Sequence, residues 1–463
     1  MKKIYSFILI ILIILNMLVF PDGDIYGQNA QSSYPAPPEV KGESVILMEA
    51  DSGAILYEKD CHKILYPASI TKIMTGLLTI ENCQMDDLVT YQGKDLSTLP
   101  SDAAKLGLVA GEEMTVRDSL YALLLRSCND VAVGLSVKIS ATEEEFAKLM
   151  TERAKTAGAI NTNFVNSTGL HDENHYTTAY DMAMITKAAL SNPIFCEISG
   201  TEEYVLPVTN KCDVQRTQYN RHEMLTATKS AYYSYAVAGK TGYTDEAGRT
   251  LVTVAKRNGI TLICVFMNTT DEYVYNDTKL LFEYGFNHFE KVNIAENETR
   301  FSQNGKDFFT KMSDIFINTG SLITLGKSDY VMVPEGNTIN DLTYEIQYST
   351  DTARGKIASL QYYCGDKIMG KTTVNVGKSN NNAEDGAAPV LIADDEGKTD
   401  ISDIPINIWL VVVGIVIIIL IIIYIIYLIK TKEKRKRKKE RKKVFKESKK
   451  RFKRRKKRPI KFR

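Results

Sequence analysis

The chain has 463 residues, of which 44% are hydrophobic and 9% aromatic. This length and composition can bury more than one core, which excludes a protein that is disordered along its whole length. The net charge of +2 is unevenly distributed, because residues 430–463 contain 23 Lys or Arg and three Glu. This tail therefore carries +20 and the preceding residues carry −18, so the acidic part has no general attraction to nucleic acid.

An apolar segment lies close to the beginning of the chain. It runs from Ile4 to Phe20 and follows two lysines, which is the pattern of a secretory signal peptide. We assign the signal peptide to residues 1–27. Gly27 and Ala30 are small enough to end it, but neither has a small residue two positions earlier, so an uncleaved anchor is the alternative.

The first folded elements follow a leader rich in Pro and Ser. Two apolar runs, Ser44 to Met48 and Ala54 to Tyr57, flank the turn sequence Asp51-Ser52-Gly53, which predicts a β-hairpin. An apolar stripe with helical spacing then begins near Ser69. The sequence thus predicts a hairpin followed by a helix that starts close to this serine.

Further helices are predicted for Ser119 to Leu125 and Ala179 to Leu190. Two β-rich runs, Thr250 to Ala255 and Ile260 to Met267, are joined through Asn-Gly, the strongest short hairpin signal. Apolar residues from Leu280 to Phe289 predict a helix that packs on this antiparallel sheet.

The pattern changes after the sheet. Residues 293–378 contain short β-type stretches such as Lys356 to Cys364 and Lys371 to Val376, separated by Gly365 and Gly370, which predicts a small all-β domain. Residues 379–405 are rich in Asn, Asp, Ala and Gly, and we interpret them as a flexible linker.

A second apolar segment, 408–429, is uncharged and long enough to span a bilayer as a single transmembrane helix. The basic residues 430–463 then form a polybasic tail that stays in the cytoplasm by the positive-inside rule. The basic charge of this tail is explained by its role in stopping translocation and in setting the orientation of the transmembrane helix, so no nucleic acid partner is needed. Both chain ends therefore predict a single-pass protein of the cell membrane whose folded part is extracytoplasmic.

The potential metal ligands form no recognisable site. Seven cysteines are scattered along the chain without the close pairs of a zinc site, and they define no disulfide framework. His171 and His175 are four residues apart, but no third ligand pattern lies near them. We expect neither a metal nor a cofactor.

Three short motifs carry candidate chemistry: Ser69-Ile70-Thr71-Lys72, Ser127-Cys128-Asn129 and Lys240-Thr241-Gly242. Each motif alone occurs by chance and indicates only a helix surface or a turn. A serine and a lysine three residues apart on a helix share a face, so the amine can take the hydroxyl proton without a histidine. The amine must be neutral to do so, and burial and a second cation, Lys240, would lower its pKa.

The order of the three motifs resembles that of the serine penicillin-recognising enzymes. Within this group the chain is most similar to the low-molecular-mass penicillin-binding proteins that act as D-alanyl-D-alanine carboxypeptidases. The similarity rests on Leu47 to Tyr57, Pro67 to Thr75, Asn166 to Leu170 and His175 to Asp181, and it covers roughly residues 40 to 290.

This resemblance implies an α+β fold. Residues 39–290 would form a β-lactamase/transpeptidase-like catalytic domain, with an antiparallel sheet flanked by helices and a helical lobe. The small all-β domain (293–378) and the single transmembrane helix would follow. The resemblance also implies a peptidoglycan stem peptide as substrate and β-lactam antibiotics as inhibitors.

The resemblance implies three catalytic roles. Ser69 would attack the carbonyl of the penultimate D-alanine, Lys72 would accept its proton, and Ser127 would relay a proton to the leaving amine. The oxyanion hole would consist of the backbone N–H groups of Ser69 and Tyr243.

The same resemblance implies the substrate contacts. Asn129 would hold the substrate's amide, Lys240 would supply positive charge, and the Thr241 hydroxyl would bind the terminal carboxylate. Gly242 would let the substrate lie against the strand edge. Arg221 is a further candidate anchor for the carboxylate.

Two other functions fit the same motifs. A serine β-lactamase needs rapid hydrolysis of its acyl-enzyme, often through a Glu-x-x-Leu-Asn loop, which the sequence does not contain. A non-catalytic protein that binds wall peptide would not need the complete set of motif residues. Cys128 stands where relatives commonly have Gly, and it is either inert packing or a thiol that makes activity sensitive to thiol reagents.

Overall fold

The computed structural model describes residues 25–26, 34–97, 99–300, 321–348 and 356–378. Within these ranges no helix is both apolar and long enough to cross a membrane. The predicted linker, transmembrane helix and tail lie outside the described residues, as does the predicted signal peptide apart from Ile25 and Tyr26.

The described chain alternates between strands and helices in its first 300 residues and is mainly β after that. The strands are β1 (Ile25–Tyr26), β2 (Ser44–Glu49), β3 (Ile55–Lys59), β4 (Leu88–Tyr91), β5 (Glu112–Thr115), β6 (Glu203–Leu206), β7 (Arg216–Tyr219), β8 (Ala236–Thr244), β9 (Gly248–Arg257), β10 (Ile260–Thr269), β11 (Phe289–Asn293), β12 (Ser321–Leu325), β13 (Tyr330–Pro334), β14 (Thr343–Tyr348), β15 (Lys356–Cys364) and β16 (Lys367–Lys378). The α-helices are α1 (Lys72–Asn82), α2 (Gly93–Leu96), α3 (Val116–Leu125), α4 (Asn129–Ser140), α5 (Glu143–Thr156), α6 (Ala179–Leu190), α7 (Pro193–Gly200), α8 (Val274–His288) and α9 (Ile294–Asn297).

The first sheet has five strands in the order β3-β2-β10-β9-β8. Its two predicted hairpins, β2–β3 and β9–β10, are confirmed, and all of its pairings are antiparallel. Asn258 (φ 50°) and Gly259 (φ 79°) both adopt the left-handed conformation that a tight Asn-Gly hairpin turn requires. The order leaves β8, which contains the Lys240-Thr241-Gly242 motif, at one edge of the sheet.

Helix α1 lies at the centre of the helical lobe, and every residue from Lys72 to Ile80 is buried. It packs against α3, α4 and α6. The helices predicted within α3 and α6 are confirmed, and Thr115 caps α3 by accepting a hydrogen bond from the Asp118 N–H.

The predicted helix start near Ser69 needs one correction. Residues Ala68–Thr71 form a 3₁₀ turn, here called the Ser69 turn, and the α-helix begins only at Lys72. Ala68 has φ 48°, and this left-handed residue is incompatible with a continuous α-helix that enters from Pro67. Ser69 therefore lies in a tight turn that leads into the helix.

The second sheet contains β11 to β16 together with β1. Its main path is β1-β14-β15-β16-β13-β11, and β12 also pairs with β16. Gly370 does not separate two strands, contrary to the sequence-based expectation, because β16 continues through it. A side chain at Gly370 would place Cβ 2.5 Å from the Tyr330 carbonyl oxygen, so this glycine permits close approach of β13.

Helix α8 covers the first sheet as predicted, although it starts at Val274 and ends at His288, one residue before the predicted end. Phe289 instead begins β11, which pairs with β13. The chain thus passes directly from a helix on the first sheet into the second sheet.

Candidate active site

The Ser69 turn is held from two sides. The Pro67 carbonyl accepts a hydrogen bond from the Thr250 hydroxyl at 2.9 Å, which ties the turn to β9. On the other side Gly169 has φ 79°, and a Cβ there would lie 1.9 Å from the Ala68 carbonyl oxygen. Only glycine fits at that position. The two contacts present Ser69, which is partly exposed, at the end of the buried helix.

Lys72 is completely buried and makes three hydrogen bonds through Nζ. Its partners are Ser69 Oγ at 3.1 Å, Asn129 Oδ1 at 2.7 Å and the Thr168 carbonyl oxygen at 2.5 Å. Asn129 Oδ1 and the Thr168 carbonyl oxygen can only accept hydrogen bonds. They therefore take two N–H groups of the Lys72 amine, whether that amine is charged or neutral. In the neutral amine the remaining position is a lone pair, and it faces the Ser69 hydroxyl. The geometry therefore suits proton transfer from Ser69 to Lys72.

The pKa of Lys72 favours this role. It falls from 10.5 to about 7, mainly because burial disfavours the charged form; the positive charge of Arg221 adds to this shift, while Cys128, Asp130 and Glu143 oppose it. Arg221 is thus a cation near the amine that the sequence had not suggested for this purpose.

Lys240, the expected second cation, is also buried, and its Nζ donates to the Thr241 carbonyl at 2.9 Å. Burial and the charge of Lys72 hold the pKa of Lys240 well below its ordinary value. The cation that lowers the pKa of Lys72 is Arg221, so the expected effect of Lys240 on Lys72 stays a prediction.

Ser127 lies between α3 and α4 in an unusual state. Its φ is 67°, a left-handed conformation that costs on the order of 1–3 kcal/mol for a residue other than glycine. Its hydroxyl is buried and has no hydrogen-bond partner among the described residues. A buried hydroxyl without a partner is unfavourable, so Ser127 Oγ is free to bond with a group that enters the site. Its predicted role as a proton relay requires such a hydroxyl.

Asn129 begins α4 and its Oδ1 orients the Lys72 amine, a role that the sequence did not indicate. Its predicted contact with the substrate's amide stays a prediction. The next residue, Asp130, is buried and accepts hydrogen bonds from the backbone N–H groups of Leu106, Gly107 and Leu108. The carboxylate therefore fastens the segment before β5 to the start of α4, beside the Lys72–Asn129 pair.

Gly242 brings the edge strand β8 against the Ser69 turn. A Cβ at this position would lie 2.8 Å from the Ser69 nitrogen and 2.4 Å from Thr250 Oγ1, so no side chain fits without displacing the strand. Tyr243 follows with an exposed ring, against which the Arg249 guanidinium packs at 5.2 Å. The strand thus carries Thr241 and the predicted oxyanion donor Tyr243 alongside the nucleophile.

Arg221 lies beside the same site. Its backbone N–H donates to the Leu125 carbonyl at 3.1 Å, and its charge lowers the pKa of both Lys72 and Lys240. The following residue, His222, is buried and bonds through Nε2 to Thr253 Oγ1 at 2.9 Å, which fixes the segment against β9. The structure therefore brings this candidate anchor together with the motif residues.

The loop Asn166 to Leu170, noted above only by resemblance, supplies a functional group that the sequence did not reveal. Glu143 Oε1 accepts hydrogen bonds from both the Ser167 N–H (3.0 Å) and its hydroxyl (2.6 Å). These bonds position the following carbonyl, that of Thr168, on the Lys72 amine. A backbone acceptor has no signature in sequence, and only the recurrence of the whole stretch in a family could have indicated it.

His175 supports the site from behind. Its Nδ1 accepts from the Val165 N–H at 3.2 Å, so Nε2 carries the proton and donates to Thr71 Oγ1 at 2.9 Å. Burial lowers its pKa to about 4, which keeps the ring neutral. Both ring nitrogens are occupied, and no group of three potential metal ligands occurs in the described part of the chain. His171 instead packs its ring edge to face with Tyr66.

Cys128 is completely buried next to Ser127 and Asn129. Burial raises the pKa of its thiol to about 12, so the thiolate is scarce at neutral pH. These properties favour inert packing over a reactive thiol.

The site combines a serine whose base is a buried amine, rather than an imidazole, with a β-strand at the edge of a sheet. This combination characterises the serine penicillin-recognising enzymes. The family model for D-alanyl-D-alanine carboxypeptidase, peptidase S11, matches residues 31–271, and the chain belongs to this family of serine peptidases. The resemblance noted in the sequence is therefore confirmed.

Characterised relatives extend the match. The chain is 31% identical over 360 residues to D-alanyl-D-alanine carboxypeptidase DacF of Bacillus subtilis, a match that covers 75% of this chain and 85% of the relative. It is 30% identical over 315 residues to the carboxypeptidase DacC of Escherichia coli, covering 65% of this chain and 74% of the relative.

Solved structures show the same fold. A mutant of the Streptomyces K15 DD-transpeptidase matches with a TM-score of 0.51 and 28% identity over 54% of this chain and 99% of its own. Penicillin binding protein 6B from Escherichia coli matches with a TM-score of 0.55 over 75% of this chain and 99% of its own, at 23% identity. The predicted transpeptidase-like α+β fold is confirmed by these likenesses.

Proposed function

We propose that this D-alanyl-D-alanine carboxypeptidase removes the terminal D-alanine of peptidoglycan pentapeptides through an acyl-enzyme on Ser69. The observation that carries the proposal is the Lys72 amine, which has a pKa of about 7 and a hydrogen-bonding position directed at Ser69 Oγ. Neutral at working pH and already oriented, this amine can act as the general base of acyl transfer.

In acylation, Lys72 takes the Ser69 proton as Oγ bonds to the carbonyl carbon of the penultimate D-alanine. The backbone N–H groups of Ser69 and Tyr243 stabilise the oxyanion. Collapse breaks the peptide bond, and the proton passes from Lys72 through the Ser127 hydroxyl to the departing nitrogen. The product D-alanine leaves, and the remaining peptide is held as an ester.

In deacylation, a water molecule gives a proton to Lys72, and the water oxygen bonds to the ester carbonyl carbon. The bond from that carbon to Ser69 Oγ breaks, and Oγ recovers the proton from Lys72. Every step thus uses the same amine, first as base and then as acid.

The substrate's terminal carboxylate binds the Thr241 hydroxyl and Arg221. Its negative charge raises the pKa of the nearby Lys240, so that Lys240 can supply positive charge once the substrate is bound. The substrate's backbone lies along the edge of β8 at Gly242, and the substrate's amide forms a hydrogen bond with Asn129. A penicillin acylates Ser69 in the same way, but its leaving nitrogen stays attached to the acyl group.

We further propose that the enzyme is exported and anchored in the cell membrane. The signal-like residues 1–27, the apolar segment 408–429 and the basic tail 430–463 support this topology. Residues 293–378 would form a separate all-β domain between the catalytic domain and the linker. Alkaline phosphatase fused after residue 405 should be active, and the same fusion after residue 463 should be inactive; equal activity in both would overturn the topology.

The enzymatic proposal is tested with the full-length protein in detergent. Penicillin should add one acyl group to Ser69, located by mass spectrometry, and diacetyl-L-lysyl-D-alanyl-D-alanine should release D-alanine. The matched variant Ser69→Ala should do neither. A stable penicillin adduct without D-alanine release would overturn the carboxypeptidase assignment, whereas rapid penicillin turnover would support a β-lactamase.

A further inference from the structure

Two arginines lie together next to the catalytic residues. Arg126 is the C-cap residue of α3 and immediately precedes Ser127. Arg221 donates its backbone N–H to the carbonyl of Leu125, the last residue of α3, at 3.1 Å. Both side chains are exposed. Partial burial lowers the pKa of Arg221 and the charge of Arg126 lowers it further, while the charges of both arginines oppose the larger rise that burial causes in the pKa of Cys128, as expected for neighbouring cations.

Neither guanidinium has a counterion in the described part of the chain. The other described arginines are all ion-paired with a carboxylate, namely Arg117, Arg153, Arg216, Arg249, Arg257 and Arg300. Arg126 and Arg221 appear in no such pair, and their side chains make no hydrogen bond within the described residues. Two adjacent guanidinium groups without carboxylates repel each other, so their arrangement favours an anionic ligand.

The two unpaired positive charges at Arg126 and Arg221 contrast with the negative charge of the surrounding protein. The chain before residue 430 carries −18, yet within the described residues no carboxylate forms an ion pair with Arg126 or Arg221. Asp130, four residues after Arg126, is buried and already accepts several backbone N–H groups. The positive potential at Arg126 and Arg221 is therefore left for a bound molecule.

The reaction proposed above accounts for one of the two arginines. The terminal carboxylate of the substrate has Arg221 and Thr241 as its partners, next to Lys240. Arg126 lies on the other chain segment, adjacent to Ser127, and has no assigned partner.

We propose that Arg126 binds a second carboxylate of the substrate, carried by the side chain of the residue that precedes the two D-alanines. The enzyme then prefers stem peptides in which this side chain ends in a free acid over those in which it ends in an amide. This specificity role rests on the proposed carboxypeptidase function, because it concerns the same substrate in the same site.

A matched pair of peptides tests the inference. One is N-acetyl-L-2-aminopimelyl-D-alanyl-D-alanine, with a free side-chain carboxylate, and the other is its primary side-chain amide. The wild-type enzyme should show a kcat/KM for D-alanine release about tenfold higher with the acid, which corresponds to about 1.4 kcal/mol. Raising the salt concentration should reduce this ratio.

Three variants locate the effect. Arg126→Gln should bring the acid-to-amide ratio close to one, and Arg126→Lys should keep part of the preference because it keeps the charge. Arg221→Gln should lower kcat/KM for both peptides, since both carry the terminal carboxylate. Arg117→Gln, at the other end of α3 and paired with Glu197, is the control and should keep the wild-type ratio.

The outcomes separate this inference from the proposed function. Equal kcat/KM values for acid and amide with the wild-type enzyme would overturn the role of Arg126 and leave the carboxypeptidase assignment intact. An equal loss on both peptides in Arg126→Gln would also overturn it, because Arg126 would then share the terminal carboxylate. If neither peptide released D-alanine while Ser69 was still labelled by penicillin, the proposed function would instead be overturned. Penicillin labelling of each variant shows that it is folded.

Discussion

The pH dependence of Ser69 acylation directly tests Lys72 as the base. Burial lowers the pKa of Lys72 from 10.5 to about 7. At pH 7 about half of the molecules therefore contain the neutral amine, whereas a lysine with its ordinary pKa would be neutral in only about one molecule in three thousand. The site thus gains about a thousandfold in active base at neutral pH. The corresponding free energy is about 5 kcal/mol and reflects the cost of burying the charged form.

The measurement is the second-order rate constant for penicillin acylation of Ser69, followed by stopped flow from about pH 5 to 9. This constant reports the ionisation of the free enzyme. It should rise about tenfold per pH unit at low pH and level off above about pH 7. Arg221→Gln removes a cation that lowers the pKa of Lys72, so its midpoint should move to higher pH. The control Arg117→Gln should keep the wild-type midpoint.

Two results would refute this reasoning. A rate constant that does not change across this range would mean that no amine is deprotonated before attack. A rate constant that still rises about tenfold per pH unit up to pH 9 would mean that Lys72 is solvated in the working enzyme, contrary to its complete burial. A downward shift in Arg221→Gln would contradict the sign of the electrostatic coupling.

Three further predictions concern single residues. Gly242→Ala places a methyl group 2.8 Å from the Ser69 nitrogen and 2.4 Å from Thr250 Oγ1, so the displaced strand should slow penicillin labelling about a hundredfold; an unchanged rate would contradict the close approach. Iodoacetamide at neutral pH should leave activity intact because burial raises the pKa of Cys128 to about 12, and inactivation with label on Cys128 would contradict this. His175 has a folded-state pKa of about 4 against 6.5 unfolded, so the unfolded chain binds its proton first as the pH falls. The free energy of unfolding should therefore drop by about 3 kcal/mol between those values, and His175→Gln should remove that part of the slope; an unchanged slope in the variant would exclude His175 as its source.

The parts of the fold that follow from local signals are predictable from the sequence. The β2–β3 and β9–β10 hairpins have turn residues between alternating or apolar runs, and α3 and α6 have helical apolar spacing. The pairing of Ser69 with Lys72 also follows from their separation of three residues, since it depends only on helical geometry.

The remaining features of the site depend on contacts between distant segments. The Thr168 carbonyl reaches Lys72 from 96 residues away, and the Asp130 carboxylate binds the backbone of another segment. The left-handed conformations of Ala68 and Ser127 exist only because the surrounding structure imposes them. No local pattern encodes these contacts, which is also why Ser69 was expected in an α-helix and lies in a 3₁₀ turn.

The close approach of Gly242 to the Ser69 nitrogen joins an early segment of the chain to a strand that is made much later. Such long-range contacts form late in folding, because the entropy of closing the intervening loop must be overcome first. Acylation competence therefore appears only when β8 has docked on the Ser69 turn. A fluorescent penicillin added at successive times during refolding would report when this contact forms, and would reveal chains that are compact but in which β8 has not yet docked.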